Sequence, residues 1–219
     1  MKANLGPPAE CFILDYDGTL IDSPRTTMIA LQKIARRNGY RVPSLKELRN
    51  LWHLPWEEIL WNAWDINGQA VSDIFNNVQP NLRFRPCPGA KSALVKLASK
   101  NILLALVTNR DEESLCYTAE STSINLTHFD VLDGVDGRDH HKPNPLAFAR
   151  AWAALKKTGI KRENTYAVGD GIGDLESSKG FGLNFIAFDS YVTSATTFRK
   201  LGVPRSHIIT DLRELLRFV

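Results

Sequence analysis

The chain has 219 residues, 43% hydrophobic and 23% charged, with a formal net charge of +3 and three cysteines. That is the composition of a soluble globular protein with apolar material for its own core, and its small, scattered positive excess offers no basic stripe for nucleic acid. No apolar run approaches the ~20 residues that cross a bilayer, and Cys11, Cys87 and Cys116 form neither a disulfide framework nor a zinc pattern, so reduced thiols are expected.

The first ten residues, MKANLGPPAE, lack the apolar segment of a secretory signal, so a cytoplasmic location is expected. CFIL (11–14) reads as a short buried strand, with Cys11 as packing, and it ends in Asp15-Tyr16-Asp17-Gly18-Thr19. Side chains at i and i+2 of a strand project to the same side, so Asp15 and Asp17 are expected to face one crevice while Tyr16 points away. Gly18 permits a tight departure from the strand.

Residues 22–86 contain no convincing strand. Residues 26–38, 44–54, 56–64 and 69–79 read as amphipathic helices, with a capping box at Ser44 and Glu47 and helix stops at Gly39 and Gly68. RPCPGA (85–90) is a proline-rich connector, and Ile21-Asp22-Ser23-Pro24 is its counterpart. A helical domain over 22–86 is therefore expected, inserted into a second domain made of 1–21 and 87–219. Trp52, Trp56, Trp61 and Trp64 are assigned mainly to the core of a small bundle. His53 is assigned to the surface or the bundle core, with substrate contact as the alternative. Arg25 is a candidate for reaching an anionic substrate.

Beyond the connector, residues 90–100 read as a helix with Leu94, Leu97 and Ala98 on one stripe. The strand ILLALV (102–107) ends in Thr108-Asn109-Arg110, and Arg110 is a second candidate for an anionic substrate. FDVL (129–132) is a weaker strand, followed by His140-His141-Lys142-Pro143, where the histidines read as a solvated loop. A helix over 145–157 leads to the strand TYAV (165–168), which ends in Gly169-Asp170-Gly171-Ile172-Gly173-Asp174. A short helix over 174–179 and the strands NFIAF (184–188) and HIIT (207–210) complete the pattern. Short apolar strands alternating with helices predict an α/β fold with a parallel sheet covered on both faces. Such sheets carry their sites outside the carboxyl ends of the strands.

Four of these strand ends hold reactive groups. Two like charges ~4 Å apart repel by about 4 kcal/mol at an effective dielectric near 20. Gathering Asp15, Asp17, Asp170 and Asp174 is therefore costly unless a divalent cation is present. All-oxygen ligands point to magnesium, and the absence of Cys or paired His in the acidic cluster argues against zinc. Lys142 offers a point charge for phosphate, and Thr108 and Asn109 offer hydrogen bonds to phosphoryl oxygens.

FILDYDGTLIDS, LVTNR, KPNP and VGDGIGD, with the PGA-x-x-AL-x-x-L pattern at 88–97, resemble the haloacid dehalogenase-like hydrolase superfamily. Within it, the chain is similar to the phosphoglycolate phosphatase and β-phosphoglucomutase group with a helical cap. The resemblance implies a Rossmann-like core, with 22–86 as the cap. It implies Asp15 as the nucleophile that becomes an aspartyl phosphate, and Asp17 as general acid and then base. Magnesium would be held by Asp15, the backbone carbonyl of Asp17 and Asp170, with Asp174 in the outer shell. Thr108, Asn109 and Lys142 would grip the phosphoryl oxygens.

The implied activity is a magnesium-dependent phosphatase acting on a small phosphorylated metabolite, with no nucleic-acid or membrane partner, as a monomer or weak homodimer. A sugar-phosphate mutase of β-phosphoglucomutase type is the alternative, and a non-catalytic regulatory protein on the same scaffold is a third. A carboxylate is an established covalent nucleophile, and splitting hydrolysis into two displacements lets one acid–base residue serve both. Two positions depart from the family pattern. Gly171 follows Asp170 where a hydroxyl residue is usual, so no hydroxyl contact is expected from there. His53-Leu54-Pro55 stands where related phosphatases often carry a Gly before the Leu-Pro pair.

Overall fold

The computed structural model describes residues 5–52, 54, 56–134, 136 and 140–219, so His53 and Pro55 lie outside the described residues. The chain divides into two compact units, Met1–Asp22 with Arg85–Val219, and Ser23–Phe84. Along the chain, β1 (Cys11–Leu14) is followed by α1 (Ser23–Arg37), α2 (Leu45–Leu51), α3 (Trp56–Trp64) and α4 (Gly68–Val78). Then come α5 (Ala90–Ala98), β2 (Leu103–Val107), α6 (Glu112–Thr122), β3 (Val131–Asp133), α7 (Ala149–Leu155) and β4 (Thr165–Gly169). The chain closes with α8 (Ile172–Phe181), β5 (Asn184–Phe188), α9 (Ala195–Lys200), β6 (Ile208–Ile209) and a 3-10 helix, Leu212–Phe218.

Among the described residues the first unit holds a six-stranded parallel sheet in the order β3-β2-β1-β4-β5-β6. β1 is central, with Leu14 in register with Leu106 of β2 and Val168 of β4. The chain runs outward from β1 on both sides, so the strand order reverses between β1 and β4. That is where an open α/β sheet leaves a crevice beyond its strand ends. All four residues of β1 are buried, as a strand covered on both faces requires. On one face Ile13, Ala105 and Ala167 pack with Ala151 and Leu155 of α7, Leu175 of α8 and Phe198 of α9. On the other, Tyr166 lies 6.1 Å from Phe12 and 5.6 Å from Phe218 of the C-terminal 3-10 helix, measured between ring centroids.

Several elements differ from the sequence expectation. Residues 145–157 form a 3-10 turn (Pro145–Phe148), α7 and a second 3-10 turn (Lys156–Thr158) in place of one helix. β3 begins two residues later than FDVL and ends one later, and α8 is longer at both ends than 174–179. α6 has no counterpart in the expected elements. Its buried face is Leu115, Thr118, Ala119 and Thr122, too weakly apolar to show a helical period. Asp111 supplies its N-cap, accepting from the Ser114 N–H at 2.7 Å.

In the second unit α1 begins at Ser23, with Pro24 absorbed in the first turn. Ser44 caps α2, accepting from the Glu47 N–H at 3.1 Å, while the Glu47 carboxylate pairs with Arg41 at 2.8 Å. Gly68 opens α4 instead of stopping the preceding helix. A Cβ there would lie 2.9 Å from the Leu60 carbonyl oxygen, so the glycine serves the close approach of α4 to α3. Trp64 is buried and donates to the Arg41 carbonyl at 2.8 Å. Trp56 donates to Ser72 Oγ at 3.2 Å and packs on Phe75. Trp52 is half-buried, but Trp61 is 60% exposed and so does not belong to the bundle core. No helix among the described residues is long and apolar enough to cross a membrane.

Candidate active site

The three central strands deliver the site. β1 runs into Asp15, whose N–H bonds the Val168 carbonyl of β4 at 2.8 Å. β4 runs into Asp170, and the first turn of α8 supplies Asp174. β2 runs into Thr108, whose N–H bonds the Asp133 carbonyl of β3 at 3.1 Å. Asp15, Asp170 and Asp174 are all buried, and a carboxylate oxygen of each lies within 4.8 Å of the others.

Asp15 and Tyr16 lie beyond the last paired residue of β1, where the i, i+2 rule of an extended strand no longer governs. Tyr16 is fully buried, and the Arg110 guanidinium carbon lies 5.9 Å from its ring centroid. Gly18 adopts φ +82°, and a Cβ there would collide with the Asp170 carboxylate. The loop leaving β1 is thus pressed against the end of β4. A Cβ at Gly169 would likewise collide with Asp174.

Lys142 reaches into the cluster. Its Nζ donates to Asp15 Oδ1 at 2.5 Å and to Asp174 Oδ1 at 2.6 Å. Asp174 Oδ2 accepts from the Gly171 N–H at 3.0 Å, which fixes the carboxylate over the start of α8. Burial works against the Lys142 charge, yet Asp15 and Asp174 together hold its pKa above the ordinary lysine value. Burial above all, with Asp174 and Asp17 adding to it, raises the Asp15 carboxyl to about 7 against the opposing pull of Lys142. Burial, then Asp15 and Asp174, hold the Asp170 carboxyl well above the usual carboxylate range. One ammonium does not balance three buried carboxylates. The donor set is all oxygen and short of positive charge, which fits a hard divalent cation.

Asp170 is oriented by two hydroxyls. Ser190 Oγ donates to Oδ2 at 2.7 Å, and Thr19 Oγ1 makes a long contact of 3.5 Å to Oδ1. A hydroxyl contact therefore exists, supplied from beyond β5 and not from position 171. No local pattern in the sequence points to Ser190, because it acts across 20 residues.

Asn109 turns its side chain on the Lys142 backbone, with Nδ2 donating to the carbonyl at 2.9 Å and Oδ1 accepting from the N–H at 3.0 Å. Thr108 is buried, and its Oγ1 accepts from the Arg110 N–H at 3.1 Å. The Asp17 carboxylate is held by Arg110, with Nε to Oδ2 at 2.8 Å and Nη2 to Oδ1 at 2.5 Å. The structure thus gathers Asp15, Asp170, Asp174 and Lys142 in one cluster, while the Asp17 side chain is engaged by the arginine that follows Asn109. Arg25 is exposed on α1 of the helical unit, and His141 is exposed.

A family model described as haloacid dehalogenase-like hydrolase matches residues 12–188. A phosphoglycolate phosphatase of Vibrio cholerae is 27% identical, covering 77% of this chain and 79% of that protein. A phosphoserine phosphatase of Streptococcus thermophilus is 32% identical, covering 80% and 83% respectively. Among solved structures, a haloacid dehalogenase-like family hydrolase of Streptococcus pneumoniae superposes with a TM-score of 0.79 at 19% identity, covering 97% of this chain and 98% of that one. At that identity the likeness shows a shared fold.

Proposed function

The chain belongs to the haloacid dehalogenase-like hydrolase family, and from that premise we propose that it is a phosphatase hydrolysing a small phosphomonoester through an aspartyl phosphate on Asp15. The observation that carries the reading is the Lys142 ammonium shared between Asp15 and Asp174, with Asp170 in the same buried cluster. The phosphatase names of the relatives support the substrate class. On this reading the helical unit Ser23–Phe84 is the inserted cap.

Asp15 attacks phosphorus, and the bond to the leaving oxygen breaks. Asp17 gives its proton to that oxygen and then takes one from the water that hydrolyses the aspartyl phosphate. Lys142 and Thr108 hold phosphoryl oxygens, and Asn109 sets the backbone that carries Lys142. Lys142 also offsets the burial that presses Asp15 toward its neutral, non-nucleophilic form. Asp15, Asp170 and the backbone carbonyl of Asp17 would hold magnesium, with Asp174 outside them, and the ion would supply positive charge to the phosphoryl oxygens.

The test is phosphate release from a panel of phosphomonoesters together with p-nitrophenyl phosphate and acetyl phosphate. Turnover is expected with magnesium, and its loss with a chelator or in Asp15→Asn. A wild-type protein that hydrolyses nothing in the panel with magnesium present refutes the proposal.

A further inference from the structure

We infer that Arg110 is the positioning residue for the acid–base carboxylate: its guanidinium clasps Asp17 by both oxygens and fixes the orientation from which Asp17 meets the leaving group. The inference rests on the phosphatase reading and adds a residue to it.

The geometry is that of a built clamp. Nε and Nη2 address the two oxygens of Asp17 at 2.8 Å and 2.5 Å, a bidentate fork that fixes the plane of the carboxylate. Nη1 is tied to Ser114 Oγ at 2.6 Å, in the first turn of α6. The guanidinium carbon stands 5.9 Å from the Tyr16 ring centroid, and the Arg110 N–H is bound by Thr108 Oγ1. The Arg110 side chain is 11% exposed and that of Asp17 29%. A partly buried ion pair adds little net stability. An arginine held from three directions at the end of β2, gripping a carboxylate from the end of β1, is therefore better explained by the carboxylate it orients. Lysine has no planar fork and cannot reproduce the grip.

The consequence is specific to one proton. When Asp15 bonds to phosphorus and the phosphorus–oxygen bond breaks, an alkoxide leaving group needs the Asp17 proton. The fork holds Asp17 as the anion, so Asp17 takes up a proton from water before the phosphorus–oxygen bond breaks, and giving that proton to the alkoxide returns it to the held anion. A leaving group that departs as a stable carboxylate needs no proton.

The experiment measures single-turnover formation of the aspartyl phosphate by rapid quench, with glycerol 2-phosphate and with acetyl phosphate as donors. Arg110→Ala is expected to slow the reaction with glycerol 2-phosphate roughly 10²-fold, while changing the reaction with acetyl phosphate by less than about 3-fold. Added guanidinium is expected to restore part of the loss, and Arg110→Lys to show the same donor dependence in weaker form. Equal slowing with both donors, or no slowing with glycerol 2-phosphate, overturns the inference and leaves the phosphatase reading intact. Where the wild type refuses glycerol 2-phosphate, a panel ester that it turns over takes its place; a wild-type protein that accepts acetyl phosphate but no phosphomonoester, or neither, removes the monoester reading and this inference with it.

Discussion

Asn109 and Lys142 close a ring of two hydrogen bonds, side-chain amide to backbone peptide, across 33 residues of sequence. The ring ties the end of β2 to the loop that carries the lysine, and so sets where the ammonium meets Asp15 and Asp174. Replacing Asn109 by Ala removes both bonds and releases the Lys142 backbone. A displacement of about 1 Å at a reacting group costs roughly 10²-fold, so kcat is expected to fall by that order with the fold retained. Steady-state kinetics beside circular dichroism would check it, and an unchanged kcat would refute it.

Ser190 Oγ accepts N–H bonds from Val192 at 2.9 Å and Thr193 at 3.3 Å, which directs its own proton onto Asp170. Loss of an oriented partner behind a metal ligand typically costs 10–100-fold in metal affinity. Ser190→Ala is therefore expected to weaken magnesium binding by roughly that factor, read by titration calorimetry. An unaltered dissociation constant would show that Ser190 serves only its own turn.

The raised Asp15 and Asp170 carboxyls make a pH prediction for metal-free protein. Their folded pKa values lie above the unfolded ones, so between about 4 and 7 the folded state binds more protons and stability falls as pH rises. The contribution is full below the unfolded pKa and lost on passing the folded one, near 7 for Asp15. Thermal melts in chelator should therefore decline across this window at these sites. Excess magnesium should reverse the decline at pH 7, because a ligand at 100 times its Kd adds about 2.7 kcal/mol. Melts that do not respond to magnesium would count against the cation site.

Gly18 meets two constraints at once, a φ of +82° and the approach of the Asp170 carboxylate. Gly18→Ala is expected to cost at least about 1 kcal/mol in stability, because alanine is strained at positive φ. It should also displace Asp170 and abolish magnesium-dependent activity. Melting and activity measured together would separate this from Gly39→Ala, where φ is also positive at +71° but no atom lies within 4 Å of the added Cβ.

The alternation of short apolar strands with helices was legible in the sequence, because a covered parallel strand must be apolar on both faces. The polar residues that follow those strands stand out against them, so Asp15, Thr108, Lys142, Asp170 and Asp174 are legible in the sequence. α6 could not be read, because its buried face is built from Thr and Ala as well as Leu. Gly68 reads as a stop in the sequence because glycine carries no sign of whether it ends a helix or lets one press against its neighbour, as it does here. Arg110 was visible, but its partner was not.

The sequence by itself determined the inventory: an α/β chain with carboxylates, a hydroxyl, an amide and an ammonium in the segments that follow its strands. Strand character and strand ends are local properties, set by a few neighbouring residues. Which group meets which was decided by the tertiary structure alone. The fork of Arg110 on Asp17, the Ser190 hydroxyl on Asp170 and the turn of Asn109 onto the Lys142 peptide depend on the order in which the strands pair, and that order brings together residues between 20 and 93 positions apart.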